Sequence, residues 1–223
     1  YTYCKFYLMK SIVYLLLLIS PAFVFSQEIA QDFGTWSKLK TSLKINKKTL
    51  FSNKTEIRTF DNSRQMSQFY TQFSINKKLN KKITTSFAWR FKVLNEEFSY
   101  IIANRFHNDL NFKHKFSDLS FNFRLRTQIN FDRYSSNDLY ERTRLKMNYK
   151  INKKIAFYIY QELYFLLSPS DNYFFNKTRF GSGIKYELNK KTDLEIKYLK
   201  INDINVENPI SLNVLGLKIS HQF

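Results

Sequence analysis

Beyond about residue 30, apolar and polar positions alternate with a period of two. In Leu119–Phe131, the residues Leu119, Phe121, Phe123, Leu125, Thr127, Ile129 and Phe131 fall on one face. Ser120, Asn122, Arg124, Arg126, Gln128 and Asn130 fall on the other. Side chains alternate across a strand but recur about every 3.6 residues on a helix, so this spacing predicts strand. The same division separates Ile83, Phe87, Trp89, Phe91 and Val93 from Ser86, Ala88, Arg90 and Lys92. It separates Ile102, Phe106, Leu110 and Phe112 from Arg105, His107, Asp109 and Lys113. Farther on, Leu145, Met147, Tyr149 and Ile151 oppose Arg142, Arg144, Lys146 and Asn148. Phe180, Ile184, Tyr186 and Leu188 oppose Lys177, Arg179, Lys185 and Glu187. Strands are predicted near 32–45, 49–60, 66–79, 83–94, 99–115, 118–131, 138–151, 155–167, 174–188, 192–201 and 210–223.

Between them stands a repeated punctuation. INKK occurs at 45–48, 75–78 and 151–154, and LNKK at 79–82 and 188–191. Asn tolerates left-handed backbone angles and paired lysines resist burial, so these segments are read as tight reversals. The opposite connections, near 61–65, 95–98, 132–137, 168–173 and 202–209, are short and leave little material for a receptor or a gate.

Two architectures accept two-faced antiparallel strands. A soluble sandwich buries its apolar faces, and a membrane barrel turns them to lipid around a polar lumen. The predicted strands exceed the usual 5–6 residues of soluble sheets, roughly, and reach the about 9–11 that cross a bilayer. The fold class expected is all-β, an antiparallel up-and-down transmembrane β-barrel of about 10–12 strands over residues 27–223, with an even strand number. A one-residue slip of the 119–131 strand would place Arg124 and Arg126 in lipid, at about 2–4 kcal/mol each near mid-depth.

The N-terminal stretch supports export. In MKSIVYLLLLISPAFVFSQ, Lys10 precedes an apolar run from Ile12 to Ile19, and Val24 and Ser26 precede a cut before Gln27. Residues 1–26 are therefore read as a signal peptide with a few residues upstream of Met9. The apolar run falls short of the roughly 20 residues of a membrane-spanning helix. Cys4, the single cysteine, lies within this leader, so no disulfide braces the mature chain and no lipoprotein cysteine follows the cut. The C-terminal LGLKISHQF places Leu215, Leu217, Ile219 and Phe223 on one face. It resembles the terminal strand of bacterial outer-membrane proteins, which the barrel-assembly machinery reads, with His221 where an aromatic often stands. The location implied is the outer membrane of a Gram-negative bacterium. The partners expected are outer-membrane lipids and that machinery, with neither nucleic acid nor a known small-molecule ligand.

Charge sharpens the picture. The chain has 223 residues and a formal charge of +18, and 18% of its residues are aromatic. On the predicted inner face, Arg58, Arg90, Arg105, Arg124, Arg126, Arg142, Arg144 and Arg179 accompany Glu56, Asp109, Glu162 and Glu187. One reading is an ion-pair network filling a narrow barrel, and the other is a cation-lined conduit favouring anions. A soluble basic β-protein binding nucleic acid is the alternative if the leader is misread. Metal sites need clustered His, Cys or carboxylates, and His107, His114 and His221 do not form such a pattern, so no metal and no cofactor is expected. An outer-membrane lipid hydrolase would need a nucleophile beside His107, and no serine can be assigned to it from sequence. The glycines of GSG, Gly181 and Gly183, lie mid-strand and are read as room for a neighbouring side chain.

QDFGTW at Gln31–Trp36 and KTRFGSGIKYELNKKTDLEIKYL at Lys177–Leu199 resemble the Bacteroidota family called domain of unknown function 2490. The resemblance covers essentially the whole chain after the leader. It implies an outer-membrane barrel and brings no established activity and no functional residues. The function expected is a small outer-membrane barrel of structural or weak pore type with an Arg-rich polar lumen, and not an enzyme.

Overall fold

A computed structural model describes residues 29–96, 99–132, 138–167 and 174–223. The leader read over residues 1–26 lies outside the described residues. Eleven strands follow in chain order: β1 (Ala30–Lys44), β2 (Thr49–Phe60), β3 (Gln65–Lys78), β4 (Ile83–Glu96), β5 (Ser99–Phe116), β6 (Leu119–Asp132), β7 (Asp138–Lys150), β8 (Ile155–Leu166), β9 (Phe175–Asn189), β10 (Thr192–Asp203) and β11 (Ile210–Gln222). Each pairs antiparallel with the next, and β1 closes the barrel by pairing parallel with β11, from Ala30↔Ile210 to Ser42↔Gln222.

This closure corrects the expectation of an even number. All eleven predicted segments stand in the wall. Directions alternate along an antiparallel meander, so an odd count makes the first and last strands run the same way. The seam must then be parallel, and β1 begins at the rim opposite the one where β11 ends.

The reversals at the Lys-rich rim have a different cause from the one expected. The Asn46 carboxamide oxygen accepts hydrogen bonds from the Lys48 and Thr49 amides, each at 2.9 Å. Asn80 does the same for Lys82 and Ile83, and Asn152 for Lys154 and Ile155. Asn is therefore selected as a side-chain acceptor that mimics a backbone turn, and not for left-handed angles. The INKK at 75–78 is the end of β3, so only the LNKK after it turns the chain. Positive φ angles occur elsewhere, mainly at the opposite rim, where Asp61, Asn62 and Ser63 have φ of 52°, 52° and 68°.

The faces match the alternation. Phe87, Ile102, Phe123, Leu125, Leu145, Ile196, Leu215, Leu217, Ile219 and Phe223 are exposed on the outside. Aromatic rings link neighbouring strands there: Phe51–Phe73–Trp89 at 6.3 and 6.0 Å, and Phe87–Phe106–Phe131 at 6.2 and 6.0 Å. Arg90, Arg124, Arg126 and Arg142 are buried inside, each no more than 7% exposed. This distribution inverts that of a soluble sheet, and it is the wall of a transmembrane barrel. Near the seam, Trp36, Leu199, Ile201 and Val214 form a small apolar cluster within the barrel.

Candidate functional site: a cationic lumen

The inner faces of the strands converge on a cavity of about 550 Å³. Ladder register places the charges in rows that run across the strands. Arg124 of β6 lies opposite Arg144 of β7, Arg144 opposite Glu162 of β8, and Glu162 opposite Arg179 of β9. In the adjoining row Asp109, Arg126, Arg142, Tyr164 and Lys177 follow one another from β5 to β9. Residues that face each other on the inside of a barrel compete for the same space, so their hydrogen bonds decide how the lumen is filled.

The Asp109 carboxylate accepts from Nε and Nη2 of the Arg126 guanidinium, at 2.5 and 2.7 Å. Glu162 accepts from Arg124 and, at 2.9 Å, from Arg142, whose other arm donates to the Gln128 carbonyl oxygen at 2.8 Å. Arg90 donates twice to Gln72, at 3.0 and 2.7 Å, and lies 3.8 Å from the Tyr70 ring centre. Arg105 donates to Asn130 at 2.6 Å. On the other side of the lumen Glu56 holds both Lys38 and Arg58, the latter at 2.5 Å, with Arg58 stacked 3.6 Å from the Trp36 ring. Glu195 accepts from Tyr158 at 2.9 Å and Lys218 at 2.8 Å. A buried charge without partner or hydrogen bonds is costly, and these contacts offset much of that cost.

Most of the inner-face residues picked out by alternation meet here. Arg58, Arg90, Arg105, Arg124, Arg126, Arg142, Arg144, Glu162 and Arg179 line the cavity, and Glu56 and Asp109 are buried against it as their partners. Glu187 does not line it: the residue lies on the correct face, but close to the β9–β10 turn and opposite Asp193. Alternation assigns the face of a residue and not its depth. Glu195 and the lysines Lys38, Lys40, Lys54, Lys146, Lys197 and Lys218 were not anticipated as part of the site. The signal for two of them was present in EIKYLKI, where Glu195 and Lys197 alternate with Ile196 and Tyr198.

His107 is 3% exposed, its cross-strand neighbours are Ala88 and Gln128, and its Nδ1 has no hydrogen-bond partner among the described residues. Among the described residues no group of three His, Cys, Asp or Glu side chains comes together. The glycines of GSG do make room. The Tyr160 ring lies where a Cβ of Gly181 would stand, and a Cβ on Gly183 would fall 2.7 Å from the Tyr158 hydroxyl. Two tyrosines thereby fold flat into the lumen, stacked with ring centres 6.3 Å apart.

The QDFGTW stretch also has a structural explanation. Asp32 accepts from the Asp61 and Asn62 amides at 3.0 and 2.9 Å and so holds the left-handed corner after β2. Gly34 passes close to the Thr59 carbonyl oxygen, and Trp36 carries Arg58.

The family described as "Protein of unknown function (DUF2490)" matches residues 33–208. The chain belongs to this family. No curated protein matches it. Among solved structures, LpxR from Salmonella typhimurium superposes with a TM-score of 0.52 at 7% identity, over 78% of this chain and 83% of that one. The translocator domain of the autotransporter NalP from Neisseria meningitidis gives a TM-score of 0.37 at 10% identity, over 71% and 70% of the two chains. At 7% identity the likeness to LpxR is one of fold alone. The DUF2490 chain thus shares its overall fold with LpxR.

Proposed function

We propose that this DUF2490 chain is a small outer-membrane β-barrel of a Gram-negative bacterium, of Bacteroidota origin. In this proposal it is exported by the leader over residues 1–26 and acts as a structural or weakly pore-forming wall protein. The observation that carries the reading is inside-out polarity: large apolar side chains such as Phe87, Ile102, Leu145 and Ile196 are exposed on the wall, whereas Arg90, Arg124, Arg126 and Arg142 are buried within. Cations outnumber acids around the cavity, and such a lining favours anions over cations. Side chains nearly fill the interior of small barrels, so any conduction is small. Outer-membrane lipids would meet the aromatic exterior, and the assembly machinery would meet Leu215, Leu217, Ile219 and Phe223. The reading assigns no reaction, no cofactor and no nucleic acid.

Cell fractionation combined with heat-modifiable gel mobility tests address and closure together. The expected result is recovery in the outer-membrane fraction and a faster band before boiling. Planar-bilayer recording is expected to give small, discrete, anion-selective steps. Recovery of a folded monomer that stays in solution without detergent overturns the membrane reading, and cation selectivity overturns the lumen reading.

A further inference from the structure

The inner face of β6 to β9 carries more guanidinium than its carboxylates can pair. Both oxygens of Asp109 are occupied by Arg126, through Nε and Nη2, and Asp203 is paired with Lys177 at 2.9 Å. Among the described residues of β6 to β9 that line the cavity, Arg124, Arg142, Arg144 and Arg179 accompany one carboxylate, Glu162. Glu162 already accepts from Arg124 and Arg142. Arg144 and Arg179 make no ion pair among the described residues. They rest beside tyrosine rings, at 5.7 Å from Tyr160 and 4.8 Å from Tyr164.

Donors are also left over. The Nε atoms of Arg124, Arg142, Arg144 and Arg179 and the Tyr164 hydroxyl are buried, with no hydrogen-bond partner among the described residues. Arg124, Arg142 and Tyr164 are each less than one-tenth exposed. All five residues line the same cavity. Buried charges are nearly always compensated, so a cluster of guanidiniums that share one carboxylate and border one cavity describes a recognition site for an acceptor. Four guanidiniums against one carboxylate leave a surplus of three positive charges, and a monocarboxylate would neutralise only one of them. A tetrahedral oxyanion with two charges and several acceptor oxygens fits better, and the planar Arg fork matches phosphate in bidentate fashion.

We infer that the Arg124–Arg144–Glu162–Arg179 row, with Arg142 and Tyr164 beside it, is a binding site for a phosphate group, as free phosphate or as a phosphate monoester. This rests on the anion-favouring lumen proposed above and names the ligand class. The cavity of about 550 Å³ accommodates a phosphate with a small organic substituent, being within the roughly 300–1,000 Å³ of ligand pockets.

The test is calorimetric titration of the refolded barrel in maltoside micelles with inorganic phosphate, at constant ionic strength, with chloride and acetate as controls. Saturable binding of one phosphate per barrel is expected. Loss of one charged donor is expected to weaken binding by about tenfold in Arg144→Gln and in Arg179→Gln. Arg144→Lys keeps the charge but loses the fork, and it is expected to fall between parent and Gln variant. Lys153→Gln, in the turn after β7, is expected to bind as the parent does. Heat-modifiable mobility of each variant establishes separately that the barrel is closed.

Phosphate binding no tighter than chloride, or closed Arg144 and Arg179 variants that bind like the parent, overturns the site. Competition by glycerol phosphate alone marks a soluble ester as the ligand. Competition by micelle-embedded phosphatidic acid marks a lipid headgroup, and either result supports the phosphate chemistry. The pore is judged independently. Saturable binding by a barrel that does not conduct keeps the site and removes the pore, and conduction without such binding does the reverse.

Discussion

On β6 to β9 the inner face is dominated by arginine, with Arg124, Arg126, Arg142, Arg144 and Arg179, while on β10, β11, β1 and β2 it is dominated by lysine, with Lys197, Lys218, Lys38, Lys40 and Lys54. The two sides manage their charge differently. On the lysine side each acid is matched locally: Glu56 takes Lys38 and Arg58, and Glu195 takes Lys218 and the Tyr158 hydroxyl. The flexible stems also fill space, as where the Lys197 chain lies over Gly216. On the arginine side the forks are rigid, share one carboxylate, and retain unpaired donors. The lysine side is thus packing that happens to be charged, and the arginine side is a preorganised arrangement with capacity left for an anion.

Three substitutions probe this contrast. The largest effect is expected for Glu162→Gln, because it removes the carboxylate between Arg124 and Arg142 and leaves buried cations uncompensated. A loss of about 3–5 kcal/mol in urea unfolding from micelles is expected, in line with broken buried ion pairs. A midpoint unchanged from the parent would show that the arginines do not depend on Glu162. Glu195→Gln on the lysine side comes next. Its partner Lys218 keeps partial access to water, so a loss of about 1.5–3 kcal/mol is expected by the same measurement. If this variant proves less stable than Glu162→Gln, the two sides are not distinct in the way described. The smallest effect is expected for Lys185→Ala, which breaks a half-exposed pair with Asp193 near the turn rim. A change of about 0–1 kcal/mol is expected, as for other solvent-exposed pairs. A larger change would extend the charge network to that rim.

Much of the fold could be read from residue order alone. Strand limits fall within two residues of those expected nearly everywhere, because a strand with one face in lipid and one in a charged lumen must alternate strictly. The faces of Arg105, Asp109, Arg124, Arg126, Arg142, Arg144 and Arg179 followed from the same rule. The site was only half legible. Glu187 has the right face and the wrong depth, and Glu195 went unnoticed in a strand with equally clear alternation. The Asn of each turn was recognised as important, but for its backbone and not for its side-chain oxygen.

Residue order therefore determined the period, the inner and outer faces and the positions of the turns, since each depends on neighbours a few positions apart. The tertiary structure decided that eleven strands close the wall, that Ala30 pairs in parallel with Ile210, and that Arg124, Arg144, Glu162 and Arg179 form one row. These outcomes depend on strand tilt and on the stagger accumulated around the whole barrel, and a local pattern contains no term for either.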